Sequence, residues 1–315
     1  MIVTLDAFSG RPNPSWRLST KDNLRLLERM SGKTLTAESE SPDTSLLGPR
    51  GFVIDAASDD DVPSGAPLSF RVGAQAFSTQ GVQARSGAFS IAESQEVSRF
   101  LLNTGRHVIE DDLMEFLDKS VARSAEPRIS SIDLMQPAEP APEEPEEQEE
   151  QPQVQSEMRE AAVAAACIIA NTAYNPGFWN TPAVQPKNNC YNYAMNWRSD
   201  TFAQPGRISG HPWTAINCAN VGTAANWDGC KAVCSGSNKN VALVIAPGPG
   251  FIDYHWYRRH SGGFWGHKPG GTAARNTDNL GRVINGTTFT PANCNRGPYT
   301  IFCGYRYSPT GMRVS

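Results

Sequence analysis

Asp253-Tyr254-His255-Trp256-Tyr257-Arg258-Arg259-His260-Ser261-Gly262-Gly263-Phe264-Trp265-Gly266-His267-Lys268-Pro269-Gly270 is the stretch on which the fold turns. Aromatic and β-favouring residues run from Tyr254 to Arg258 and again from Phe264 to Lys268. Ser261-Gly262-Gly263 between them has the composition of a tight hairpin turn. Counting outward from Gly262, His255 lies seven residues back and His267 five residues on. The two histidines are therefore expected on adjacent antiparallel strands, offset by about two residues and facing one side. His260, beside the turn, is expected to be exposed. Further strands are expected at Val241–Ile245 and across Tyr299–Tyr307.

Upstream of the hairpin lies Pro186-Lys187-Asn188-Asn189-Cys190-Tyr191-Asn192-Tyr193-Ala194-Met195-Asn196-Trp197. The first residues are turn-forming. Tyr193, Ala194 and Trp197 are spaced for one face of a helix, which places Cys190 at a helix N-terminus. There the helix dipole and free backbone N–H groups favour a thiolate and can stabilise a developing oxyanion. One histidine is then available to accept the Cys190 proton and the other to orient it. The expected catalytic set is Cys190, His255 and His267. Asn188, Asn189, Tyr191 and Trp256 are the expected oxyanion and substrate-binding neighbours.

This order of residues resembles the NlpC-type cell-wall peptidases of the papain-like cysteine peptidase clan, over about residues 185–270. In that family a cysteine opens a helix, a histidine follows on a strand, and a polar residue, often a second histidine, follows on the next. The resemblance implies a helix bearing Cys190 against an antiparallel sheet, and thiol-dependent hydrolysis of amide bonds, usually in bacterial peptidoglycan stems. Asn189 stands where the family commonly has Asp, and Tyr191-Asn192-Tyr193 replaces its small residues.

The rest of the chain divides by composition. Residues 1–158 carry 14 Lys and Arg against 27 Asp and Glu, a charge of −13; residues 159–315 carry 14 against 5, a charge of +9. Residues 1–123 read as a small α+β domain. Its strands are expected near 2–8, 51–54 and 68–72, with a turn at Ser9-Gly10-Arg11-Pro12-Asn13-Pro14, and helices from a Thr20 cap to about Met30, after a Ser90/Glu93 capping box, and from Ile109 to about Val121. Residues 137–153 hold five prolines and seven glutamates, a composition that cannot bury a core, so 124–155 is expected to be a disordered linker. Residues 156–315 form the expected hydrolase domain, opening on a helix over Ser156–Thr172. The fold class expected for the whole is α+β. The opposite charges favour docking of the N-terminal domain on the basic C-terminal one, as an inhibitor or adaptor.

All seven cysteines and six of the seven tryptophans follow residue 166. That density points to an oxidising destination, although the N-terminus lacks the basic flank and apolar core of an ordinary signal peptide. An extracellular or non-classically delivered protein is therefore expected. With Cys190 set aside, Cys294 with Cys303, and Cys218 with Cys230 or Cys234, are candidate disulfides. Zinc at Cys230 and Cys234 with Cys218 or a nearby histidine is a weaker alternative, and no cofactor is expected. No apolar run spans a bilayer. Phosphate-loop, Rossmann and HExxH patterns are absent, and the basic charge is dispersed, against nucleic-acid binding. An anionic or peptide substrate is the expected partner of the basic domain. Two alternatives stand beside the hydrolase: a secreted effector or toxin with deamidase or protease activity, and a non-catalytic module. In the latter Trp179, Trp197, Trp213, Trp227, Trp256 and Trp265, with Tyr254 and Tyr257, line a groove. Asp278-Asn279-Leu280-Gly281 is expected to be a turn rather than a calcium loop.

Overall fold

A computed structural model describes residues 1–33, 35, 46–56, 62, 67–77, 89–123 and 166–315. The first part builds an antiparallel sheet in the order β2-β1-β3-β4 from β1 (Ile2–Asp6), β2 (Ser15–Arg17), β3 (Gly51–Asp55) and β4 (Ser69–Val72). Alternation in β1 sends Val3 and Leu5 into the core. Helix α1 (Thr20–Met30) starts one residue earlier than the sequence suggests, because Ser19 rather than Thr20 caps it through the Asp22 N–H. A short α2 (Ala74–Phe77) leads towards α3 (Ile91–Gly105). Ser90 and Glu93 form the reciprocal capping box at the start of α3. Helix α4 (Asp111–Arg123) buries Leu113, Leu117 and Val121.

The second part is a mixed sheet around one long strand, β6 (Gly236–Pro247). Over Val241–Ile245 it is paired on both sides, with β7 (Ile252–Arg259) and with β9 (Ile301–Pro309). Paired twice, β6 reads as a nearly continuous apolar run. β8 (Trp265–His267) adds to β7 with His267 opposite Tyr257, the two-residue offset expected of the hairpin. α5 (Cys190–Met195) packs against β7, and α6 (Cys218–Asp228) against β6. The architecture is α+β.

Three local expectations are corrected. Within the stretch expected to be a helix over Ser156–Thr172, Cys167–Ile169 is a strand, β5, parallel to Gly236–Asn238. Its Cys167 is tied to Cys234 by a disulfide, so a ladder and a covalent bond override the local helical tendency; the earlier part of that stretch lies outside the described residues. The second disulfide joins Cys218 to Cys303, leaving Cys190, Cys230 and Cys294 as buried thiols. Pairing follows space: Cys218 opens α6 and faces β9 at a Cα separation of 5.2 Å. With Cys218 and Cys234 so occupied, the zinc reading falls. The expected linker at 124–155 lies outside the described residues.

The two parts share one buried cluster. Phe8 and Phe116 both pack on Phe251, with ring centroids 5.4 Å apart in each pair, and Phe251 packs on Tyr299. Asn279 exchanges two hydrogen bonds with the Leu47 backbone. Ion pairs among the described residues all fall within one part or the other. Among the described residues the junction is built from apolar burial and hydrogen bonds.

Candidate functional site

The helix that carries Cys190 is fixed by asparagines. Asn189 caps it, its side-chain oxygen accepting from the Tyr191 and Asn192 N–H groups, while the Asn192 side chain accepts from the Asn189 N–H. The same Asn189 amide donates to the carbonyls of Gly10 and Ala203. Asn188 donates to Val184 O and to Asp200. Both asparagines are fully buried and committed to the fold, so neither is open to an incoming oxyanion. Tyr191 donates to Asp228 at 2.8 Å and packs on Trp256, whose ring is fully buried. These expected substrate-binding residues are interior.

The histidine pair is brought together. His255 Nε2 lies 2.9 Å from His267 Nδ1, and His267 Nε2 lies 2.9 Å from the Thr277 carbonyl. That carbonyl only accepts, so His267 carries its proton on Nε2 and presents a bare Nδ1; His255 must then donate from Nε2. The Nδ1 of His255 is left as an acceptor and faces Ser9 Oγ at 2.5 Å. A directional chain runs from the Ser9 hydroxyl through two neutral imidazoles to a carbonyl. Burial pushes the His255 pKa well below the ordinary histidine value, and His267 and Arg50 add to the effect. His260 is buried, not exposed as the turn suggested. It meets Tyr193 Oη at 2.8 Å and the Thr172 carbonyl at 3.2 Å, and burial pushes its pKa down to about 4, with Arg258 adding to the effect.

Cys190 is also fully buried. Its Sγ lies 4.0 Å from the Tyr254 carbonyl, and the Ser9 side chain is within hydrogen-bonding reach of it. Burial, then the Asp253 carboxylate, push the thiol pKa far up. A neutral, buried thiol is the opposite of the thiolate that nucleophilic catalysis by cysteine uses.

What closes the site is a segment that the sequence reading treated as an ordinary turn. Ser9, Gly10 and Arg11 each donate a backbone N–H to Asp253, at 2.5, 3.2 and 3.0 Å, and Tyr299 donates its hydroxyl at 2.6 Å. The Gly10 carbonyl accepts from Asn189, Gln204 and Tyr254. Only glycine fits there, because a Cβ on residue 10 would lie 2.3 Å from the Tyr254 ring. Arg50 donates to the Phe8 carbonyl at 2.8 Å and to Asp6 at 2.6 Å. The contacts of residues 9–11 with Asp253 and Tyr254 span 242 to 244 residues, and those of Gly10 with Asn189 and Gln204 span 179 and 194; they have no local signature. The nearest signal was Asp253 itself, a carboxylate in an aromatic strand where aspartate is disfavoured.

The tryptophans form no groove. Trp179, Trp256 and Trp265 are buried, while Trp227 is 58% exposed and stacks on His211. Asp278 forms a turn, accepting from the Leu280 and Arg282 N–H groups and from the Arg282 guanidinium. Among the described residues there is no group of three or more metal-ligating side chains, and no helix is long and apolar enough to cross a membrane.

No family model and no solved structure matches the chain. Among curated proteins it is 41% identical over 143 residues to "Insoluble matrix shell protein 1" of Ruditapes philippinarum, a stretch that covers 44% of this chain and 92% of that protein. This finding overturns the expectation of a cysteine hydrolase. It overturns with it the peptidoglycan, bacterial and toxin readings and the alternatives of a deamidase or an aromatic-lined binding module. The relative is a matrix protein by name, and the buried, neutral thiol of Cys190 agrees with a cysteine that does not act as a nucleophile.

Proposed function

The chain belongs to the family of insoluble matrix shell protein 1, and from that premise we propose that it is a structural protein of an extracellular matrix. The observation that carries the reading is the 41% identity along 92% of that relative. Two disulfides support an extracellular setting; they join residues 67 and 85 positions apart in sequence. In this reading Cys190, His255, His267 and Asp253 are interior polar groups that hold residues 8–11 against the second sheet. The acidic, proline-rich stretch 124–155 is a spacer between a 1–123 unit and a 156–315 unit, a role its composition supports. The papain-like resemblance is kept for topology alone, supported by the helix of Cys190 lying against the antiparallel strand that bears His255.

The test is retention. Purified, disulfide-closed protein is mixed with the insoluble extracellular residue of the producing tissue and sedimented. It is expected in the pellet and to stay there through a high-salt wash. Quantitative recovery in the supernatant overturns the proposal.

A further inference from the structure

The junction between the two parts surrounds one peptide bond, Phe8–Ser9, with more chemistry than anchoring requires. The Ser9 hydroxyl faces a bare imidazole nitrogen, His255 Nδ1, at 2.5 Å, and that ring is oriented from behind by His267. The carbonyl oxygen of the bond, on Phe8, accepts from the Arg50 guanidinium at 2.8 Å. The nitrogen of the bond, on Ser9, donates to Asp253 Oδ2 at 2.5 Å. Nucleophile, base, oxyanion donor and a carboxylate at the leaving nitrogen therefore converge on a single amide. Asp253 adds a second observation. It is fully buried, its partners are three backbone N–H groups and a phenol, and no ion pair among the described residues reaches it. A buried carboxylate without a cation is costly.

We propose that the chain cleaves its own backbone between Phe8 and Ser9, once per molecule, with Ser9 as the nucleophile. Ser9 Oγ bonds to the Phe8 carbonyl carbon through a five-membered ring as its proton passes to His255 Nδ1. The electron pair of the carbonyl collects on the Phe8 oxygen, opposite Arg50. When it returns, the carbon–nitrogen bond breaks and the Ser9 nitrogen takes the proton from His255. The product at this point is an ester isomer of the original amide, with no atom gained or lost. Water then completes the step: its oxygen joins the Phe8 carbonyl carbon, the ester bond breaks, and Ser9 Oγ recovers a proton. The second proton of the water leaves the new Phe8 carboxyl group and protonates the α-amine of Ser9 opposite Asp253, which supplies the missing cation and favours cleavage. Burial lowers the His255 pKa, which keeps the imidazole unprotonated in the resting chain.

Cleavage would leave the fold in place, because β1 stays paired between β2 and β3. It is visible only after unfolding. Purified full-length protein is incubated at neutral pH, unfolded in guanidinium with and without hydroxylamine, and analysed by mass spectrometry. The expected result is a peptide of residues 1–8 and a chain that begins at Ser9, together one water heavier than the intact chain. Hydroxylamine releases the same peptide as a hydroxamate from any ester still present. Ser9→Ala is expected to lower release by about a hundredfold or more, and Ser9→Cys to keep it through a thioester. A wild-type chain that stays whole with and without hydroxylamine, Ser9→Ala protein cut at the wild-type rate, or a folded Ser9→Cys variant that stays whole each overturns the proposal.

Discussion

Asp253→Ala tests how residues 8–11 are held. The carboxylate accepts from Ser9, Gly10, Arg11 and Tyr299. Removing it leaves four donors facing an apolar hole. A buried donor left unsatisfied costs about 1–3 kcal/mol. Loss of the buried charge itself offsets part of that, so we take the low end for each donor and expect about 4 kcal/mol of destabilisation. Tyr299→Phe removes one donor of the four and is expected to cost about 1 kcal/mol. The assay is urea denaturation followed by tryptophan fluorescence, with the midpoint compared at unchanged slope. If Asp253→Ala lies within about 1 kcal/mol of the parent, the carboxylate is not what fastens the segment and the account of the junction is wrong.

Other consequences follow from the same contacts. Cys190 is expected to ignore thiol reagents in the folded protein and to react only at the rate of unfolding; rapid alkylation of folded protein would contradict its burial. Opening Cys218–Cys303 by Cys218→Ala/Cys303→Ala is expected to cost up to about 4 kcal/mol on chain-entropy grounds, measured by denaturant midpoint; no change would mean that the reduced chain is equally constrained. Stability is also expected to fall with acid. His255 and His260 are held below the ordinary histidine value of ~6.5, so the unfolded chain binds more protons below that pH. Their contribution is whole above pH ~6.5 and is lost as the pH drops. Burial alone would raise the Asp6 carboxyl, but Arg50 and Arg71 overcome it and hold the group far below the carboxylate range. Its contribution is present above ~3.9 and is lost as the pH falls further. Midpoints that stay level between neutral pH and pH ~4 would refute the histidine assignment.

What was legible in the sequence was local. The Ser261–Gly263 turn and the spacing of His255 and His267 forecast the register of β7 and β8, because a tight turn and a period of two leave little freedom. The turn-forming residues before Cys190 forecast a helix start, and Ser90 with Glu93 another. The misreadings arose where distant residues decide. Cys303 pairs with Cys218 rather than with the nearer Cys294 because β9 crosses to β6 and faces α6. His260, next to a turn, is covered by Thr172 and Tyr193 from other elements. The largest gap was chemical. Cysteine at a helix start with two aligned histidines suggests a nucleophile, but reactivity depends on access and protonation. Both are set by Ser9–Arg11, some 180 residues upstream of Cys190, and no periodicity in either segment records the contact.

The central claim, that this is a matrix protein rather than a catalyst, is tested most directly by where the native protein resides. Extracellular material of the producing tissue is extracted in turn with salt, detergent and reductant, and peptides from residues 166–315 are quantified by mass spectrometry in each extract and in the final residue. The account predicts that most of the signal stays in the insoluble residue after salt and detergent. Recovery of the bulk in the soluble intracellular fraction would contradict it.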